Sequence, residues 1–148
     1  MILSAFLSFL GSMLPSILYN VEKKLFLWVG LSGMSGFVIY SVMYQVTGKA
    51  VLSTFVGAVA VGLYSECIAR ILKHPATVFS VTGILPLVPG IGAYNTVRAV
   101  FDNKLQDAAS IAVQTVVISG SIALGIMLCS AIFRIISSIA RRNRMKQN

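Results

Sequence analysis

Charge is what this sequence has least of. Only 11% of its 148 residues are Asp, Glu, Lys or Arg, and just four of those are acidic. A water-soluble domain carries about 25% charged residues, so this chain lacks the groups that dress a solvated surface. Disorder is excluded by the accompanying excess, 57% hydrophobic residues, because a disordered chain is poor in them. Cysteine is almost missing. Cys67 and Cys129 stand far apart without CxxC spacing, which argues against a disulfide framework or a zinc site. The single histidine, His74, sits beside Pro75 and reads as a solvated loop residue. No metal, cofactor or catalytic group is therefore expected. No Lys or Arg precedes the first apolar run at Ile2, so it is expected to be a membrane span rather than a cleavable leader.

Apolar runs are what the sequence does have, and its mean hydropathy is +0.87. The length suits one domain, and residues 1–148 are expected to form a single integral membrane domain. A spanning helix needs about 20 apolar residues. Five runs qualify, at about 1–19, 25–46, 50–68, 77–101 and 108–133, followed by a basic tail at about 134–148. The expected fold is an all-α membrane protein of five transmembrane helices. The short connections make consecutive helices antiparallel neighbours.

A net charge of +8 would suggest nucleic acid as the partner of a soluble protein. Here the basic residues form no such face, and no nucleic-acid partner is expected. Arg141, Arg142, Arg144 and Lys146 directly follow an apolar run, as in a cytoplasmic tail drawn to anionic lipid. With five spans and the C-terminus inside, Lys23, Lys24, Arg70, Lys73 and Arg134 join those four on the cytoplasmic side. Lys49, Lys104 and Arg98 fall outside. Nine against three satisfies the positive-inside rule and puts the N-terminus out.

Small residues at i, i+4 occur on three runs: Ser32 and Gly36, Ala58 and Gly62, Ser121 and Gly125. They let helix backbones approach closely in lipid. Two polar stripes, Ser4, Ser8, Gly11, Ser12 and Pro15 on the first run and Ser110, Gln114 and Ser121 on the fifth, are expected to face protein or a cavity.

The fourth run carries the chemistry. Pro86 and Pro89 each remove an N–H donor and clash with the carbonyls of Thr82 and Leu85, while Gly90 and Gly92 loosen the same place. The helix is expected to break near the bilayer midplane. Bare backbone survives at that depth only when buried in protein or lining a wet cavity. Broken helices at midplane build the substrate sites of many transporters. The N–H groups from Gly90 through Ile91 and Gly92 to Ala93 form a positive end suited to a carboxylate. The carbonyls of residues 82–85 form a negative end suited to an ammonium group. Tyr94, Asn95 and Arg98 share a helical face just beyond the break. On the residues alone two readings stand: a solute site, or a proline-kinked packing helix whose Arg98 snorkels to the headgroups. Glu66 and Arg70, at i, i+4 in the favourable order, make an ion pair at the end of the third run, with either a structural or a gating role.

Three pieces of the sequence together resemble the threonine/serine exporter family. They are Glu66-x-x-Ala69-Arg70, Pro75-Ala76-Thr77-Val78-Phe79, and Ile84-Leu85-Pro86-Leu87-Val88-Pro89-Gly90 with Tyr94 four residues on. The likeness is to that family's small subunit, equivalent to the C-terminal half of its single-chain exporters. It implies a bacterial inner-membrane exporter of small hydrophilic metabolites, either threonine and serine or a dicarboxylate such as succinate. It also implies a larger five-span subunit as partner.

Two rival functions are open to test. One is a non-transporting membrane subunit, or a small pore built as a homo-oligomer. The other is an intramembrane serine protease, since Gly30-Leu31-Ser32-Gly33 and Gly33-Met34-Ser35-Gly36 match a GxSG pattern. A serine nucleophile needs a base within reach. The sole histidine lies at the membrane boundary, so catalysis is not expected.

Overall fold

A computed structural model describes residues 2–145, with side chains described as far as Ile139. Every regular element among the described residues is helical. That follows from hydrophobic runs whose backbone groups have no water to bond and must pair within their own segment. The helices are α1 (Ile2–Leu18), α2 (Phe26–Thr47), α3 (Ala50–Leu72), α4 (Ala76–Gly83), α5 (Gly90–Phe101) and α6 (Leu105–Met145). A 3-10 turn, Lys23–Leu25, leads into α2, and another, Leu85–Leu87, follows α4.

Three stretches are long and apolar enough to cross a membrane: α2 with its lead-in, α3, and α6 as far as Ile139. The pair formed by α4 with its turn and α5 makes a fourth candidate, bent by 49°. Five spans are expected from sequence, and length supports three or four. The difference is α1, which is apolar but has only 17 residues. At 1.5 Å per residue it is about 25 Å long, short of the roughly 30 Å hydrocarbon core. Helix α6 continues without interruption past Phe133, the expected point of exit. The side chains of Arg141, Arg142 and Arg144, and all of Lys146, lie outside the described residues.

Tight reversals fold the helices back on one another. Val21 N–H reaches the Ser16 carbonyl, His74 N–H that of Ala69 and Lys104 N–H that of Ala99. Each bond closes over a left-handed residue, Asn20 (φ 52°), Lys73 (φ 56°) and Asn103 (φ 57°) respectively. This is the six-to-one bond of a Schellman ending, with Asn or Lys where glycine is usual. Gly48 (φ 64°) ends α2.

Helix α3 is the centre of the bundle, packed on α2, α4 and α6. Small residues set these contacts. A Cβ on Gly57 would stand 3.0 Å from the Gly36 carbonyl oxygen, so α2 and α3 touch backbone to backbone there. A Cβ on Gly125 would stand 3.0 Å from that of Ala58, and one on Gly62 would come within 2.8 Å of Cys129 Cβ, bringing α6 equally close. All three expected small pairs therefore lie at helix contacts. The polar stripes are only partly so. Ser8 and Ser12 are buried, but Ser4 and Gly11 are exposed, and the buried face of α1 runs instead through Ala5, Ser8, Ser12 and Ser16. On α6 only Ser121 of its stripe is buried; Ser110 and Gln114 face outward.

Candidate solute site at the broken helix

The fourth run breaks where the prolines require it. Helix α4 ends at Gly83, Leu85–Leu87 tightens into a 3-10 turn, and α5 begins at Gly90. Val88 is extended (ψ 129°) and Pro89 lies outside the helical region (ψ 58°). The turn absorbs part of what the prolines expose. Leu87 N–H bonds the Ile84 carbonyl at 2.9 Å, and Val88 N–H bonds that of Leu85 at 3.3 Å. The carbonyl end expected over residues 82–85 is thus largely used internally, and Gly83 keeps the one carbonyl of Gly83, Ile84 and Leu85 that has no partner among the described residues.

The amino end of α5 stays more open. Gly90 N–H turns back to the Val88 carbonyl (2.8 Å) and Ala93 N–H to that of Pro89 (3.1 Å). That leaves Ile91 and Gly92 as N–H donors with no acceptor among the described residues. Two bare donors at a helix N-terminus make a local positive end.

Leu87 fixes this break in the bundle. Its side chain is buried, and the two δ-methyls stand 3.4 Å from where Cβ atoms of Gly36 and Gly57 would be. The turn is therefore keyed into the α2–α3 crossing, at the middle of α2. Ala58, Val61 and Ile122 close around the same leucine. Here irregular backbone is held by protein, as its depth in hydrocarbon would demand.

Beside Leu87 opens a cavity of about 240 Å³. The break supplies Pro86, Leu87, Val88, Pro89, Gly90 and Ile91; α2 supplies Phe37 and Tyr40; α3 supplies Ala50 and Thr54; and α6 supplies Ile118. Tyr40 stacks on Tyr44 (centroids 5.9 Å apart) and tilts against Phe37 (6.0 Å), giving one aromatic wall. Thr54 is buried and donates to the Ala50 carbonyl at 2.8 Å. No acidic residue lines the space. It can hold a solute of a few heavy atoms against N–H donors and a phenol, with no counter-charge for an ammonium group.

The residues singled out from sequence separate into three groups. Pro86, Pro89, Gly90 and Ile91 meet at the cavity. Gly92 does not: it faces α6, where its Cβ would collide with Thr115, Cβ to Cβ at 3.5 Å and closer to the hydroxyl. Tyr94, Asn95 and Arg98 share the outer face of α5, all exposed and away from the cavity. Arg98 Nε stands 3.9 Å from Asp102 Oδ2, a loose exposed pair. Glu66 and Arg70 form a pair at 2.8 Å. Arg70 also donates to Ser137 Oγ at 3.1 Å and lies 4.5 Å over the Phe133 ring, tying the end of α3 to α6. Both hydroxyls of the GxSG pattern are occupied: Ser32 donates to the Phe79 carbonyl and Ser35 to that of Ser32.

Sequence reasoning missed Leu87, Tyr40, Thr54, Phe37 and Ile118. Nothing in the sequence separates Leu87 from Val88, which lies between the same two prolines and is half exposed. Tyr40, Thr54 and Ile118 lie on other helices, and nothing in a single sequence pairs them with the break.

A family model described as Threonine/Serine exporter, ThrE, matches residues 4–132, most of the chain. No curated protein and no solved structure matches it.

Proposed function

The chain belongs to the threonine/serine exporter family, and on that premise we propose that it is one subunit of a bacterial inner-membrane exporter for small hydrophilic metabolites. Threonine and serine, or a dicarboxylate such as succinate, are the solutes. They are held in the cavity beside Leu87, with a carboxylate turned to the N–H groups at the start of α5. In this reading α1 is a short fifth span, the N-terminus lies outside, the C-terminus lies inside, and a larger five-span chain completes the path. Pro86, Pro89, Gly90 and Ile91 shape the site, and Gly92 presses the half-helix against α6. Tyr94, Asn95 and Arg98 lie on the face the larger chain would cover, because polar side chains at membrane depth seek protein or water over acyl tails. The clamp of Glu66 and Arg70 holds the inner ends of α3 and α6 in register.

The observation that carries this reading is the keyed break. The chain gives up helical hydrogen bonds at mid-height, buries the turn through Leu87, and leaves two donors at the start of α5, with Ile91 at the cavity and Gly92 against α6. Unpaired backbone groups in hydrocarbon cost several kcal/mol each, and a polar solute offsets that.

The test is export of labelled threonine, serine and succinate from cells expressing the chain with the proposed larger five-span chain. Nothing lies within 4 Å of a Cβ on Gly90, so Gly90→Leu fills the space without disturbing the bundle. It should cut export at least tenfold with membrane insertion unchanged, and Pro89→Ala should do the same. Full export by both variants would remove the break as the solute locus. A stable homo-oligomer, with no need of a second chain, would favour a pore.

A further inference from the structure

On the α4 side of the break the interior is lined with oxygen. Ser12 of α1, Ser32 of α2, Ser65 of α3 and Thr82 of α4 are all buried. Ser32 Oγ lies 3.1 Å from the Phe79 carbonyl oxygen and 3.5 Å from Ser65 Oγ, and Thr82 Oγ1 lies 3.4 Å from the same carbonyl. Two oxygens here have no partner among the described residues. Ser12 Oγ is fully buried and makes no hydrogen bond. The Gly83 carbonyl, passed over when Leu87 N–H bonds Ile84, closes α4 and carries the negative end of its dipole. Gly33 brings the two together: a Cβ there would collide with Ser12 Oγ and stand 3.3 Å from the Gly83 oxygen. Gly83 in turn lies directly against Ser32 Oγ.

A buried hydroxyl and a buried carbonyl, both without a partner among the described residues, are costly at membrane depth. Both can accept, and so can the Ser65 hydroxyl, the Ser32 hydroxyl that donates to Phe79, and the second lone pair of the Phe79 carbonyl. An all-oxygen set at the unwound end of a half-helix is how a hard cation is held within a membrane. Ser32 Oγ, 3.1 Å from the Phe79 oxygen and 3.5 Å from Ser65 Oγ, has the spacing around an ion with bonds of about 2.4 Å, the calcium range. Sodium shares that size with half the charge. Among the described residues no three His, Cys, Asp or Glu side chains gather, so nothing balances a divalent ion, while a helix C-terminus favours a single positive charge. We propose that Ser12, Ser32, Ser65 and the carbonyls of Phe79 and Gly83 form a sodium site. Sodium bound there draws α1, α2, α3 and the end of α4 together on the opposite side of the break from the solute cavity.

Melting the purified protein, with any chain that copurifies, in equimolar NaCl, KCl or choline chloride tests this. Saturating sodium should raise the midpoint by about 4 °C over choline, and potassium should raise it by less. Ser12→Ala should lose the sodium shift while melting normally in choline; if it fails to fold, Ser65→Ala is read the same way. Equal midpoints in all three salts would mean that only water bridges Ser12 and Gly83, and would overturn the proposal. A sodium shift that survives in these variants would overturn it too. Export is not measured, so the result stands whatever becomes of the solute site.

Discussion

Lys73 shows how one residue can work against its own conformation. It ends α3 in the left-handed region (φ 56°), which costs a side-chain-bearing residue about 1 kcal/mol and glycine almost nothing. Lys73→Gly should therefore stabilise the protein by about 0.5 to 1 kcal/mol in a detergent melt. The same substitution removes one of the charges expected to set topology. Leu87 is the opposite case, a residue whose whole side chain is used. Leu87→Ala empties the space between Gly36 and Gly57. Lipid tails are as apolar as the site, so only packing is lost, and the expected destabilisation is about 2 kcal/mol, at the low end for a buried leucine. A change under 0.5 kcal/mol would mean the turn is not anchored there. At this scale the sequence was legible where a residue acts through its own backbone. Pro86, Pro89 and Gly90 declared the break. Gly92 was misplaced because a glycine that frees the backbone and one that admits a neighbour look alike until Thr115 is seen against it.

Among the elements, helix contacts are governed by what is missing from side chains. Gly62 and Cys129 are the clearest pair, since a Cβ on Gly62 would come within 2.8 Å of Cys129 Cβ. Gly62→Ala should destabilise by about 2 kcal/mol through overpacking. Cys129→Gly should restore most of that in the double variant, a coupling measurable as a double-mutant cycle. Additive losses would show that α3 and α6 do not meet there. The small pairs were readable in advance because their spacing of four is a property of one helix. Which polar stripe turns inward was not, because exposure depends on neighbours. Ser110 and Gln114 share a face with Ser121, yet α6 packs on α3 further along, at Ile122, Gly125 and Cys129. Helix α6 outlasts the span expected of it: no residue after Phe133 breaks a helix, so it continues to Met145.

For the whole molecule, the distribution of positive charge makes the topology testable. Single cysteines replacing Lys49 or Lys104 should react with an impermeant thiol reagent on intact cells. Those replacing Lys23 or Lys73 should react only after permeabilisation. The reverse pattern at Lys23 and Lys73, with Lys104 still outside, would indicate that the bent α4–α5 pair is re-entrant and that the chain has four spans. Hydropathy gave the fold class and the helix order because both follow from composition along one dimension. The cavity could not be read that way, as its walls come from α2, α3, the break and α6.

The account depends most on the break being wet and able to bind solute. In a Cys67→Ser background, which removes the exposed thiol and keeps the buried Cys129, Gly90→Cys should react with a charged, membrane-impermeant thiol reagent. Saturating threonine, serine or succinate should slow that reaction several-fold for the solute the protein exports. A Gly90→Cys thiol that ignores the charged reagent but reacts with a lipid-soluble one would place the break against acyl chains and contradict the account.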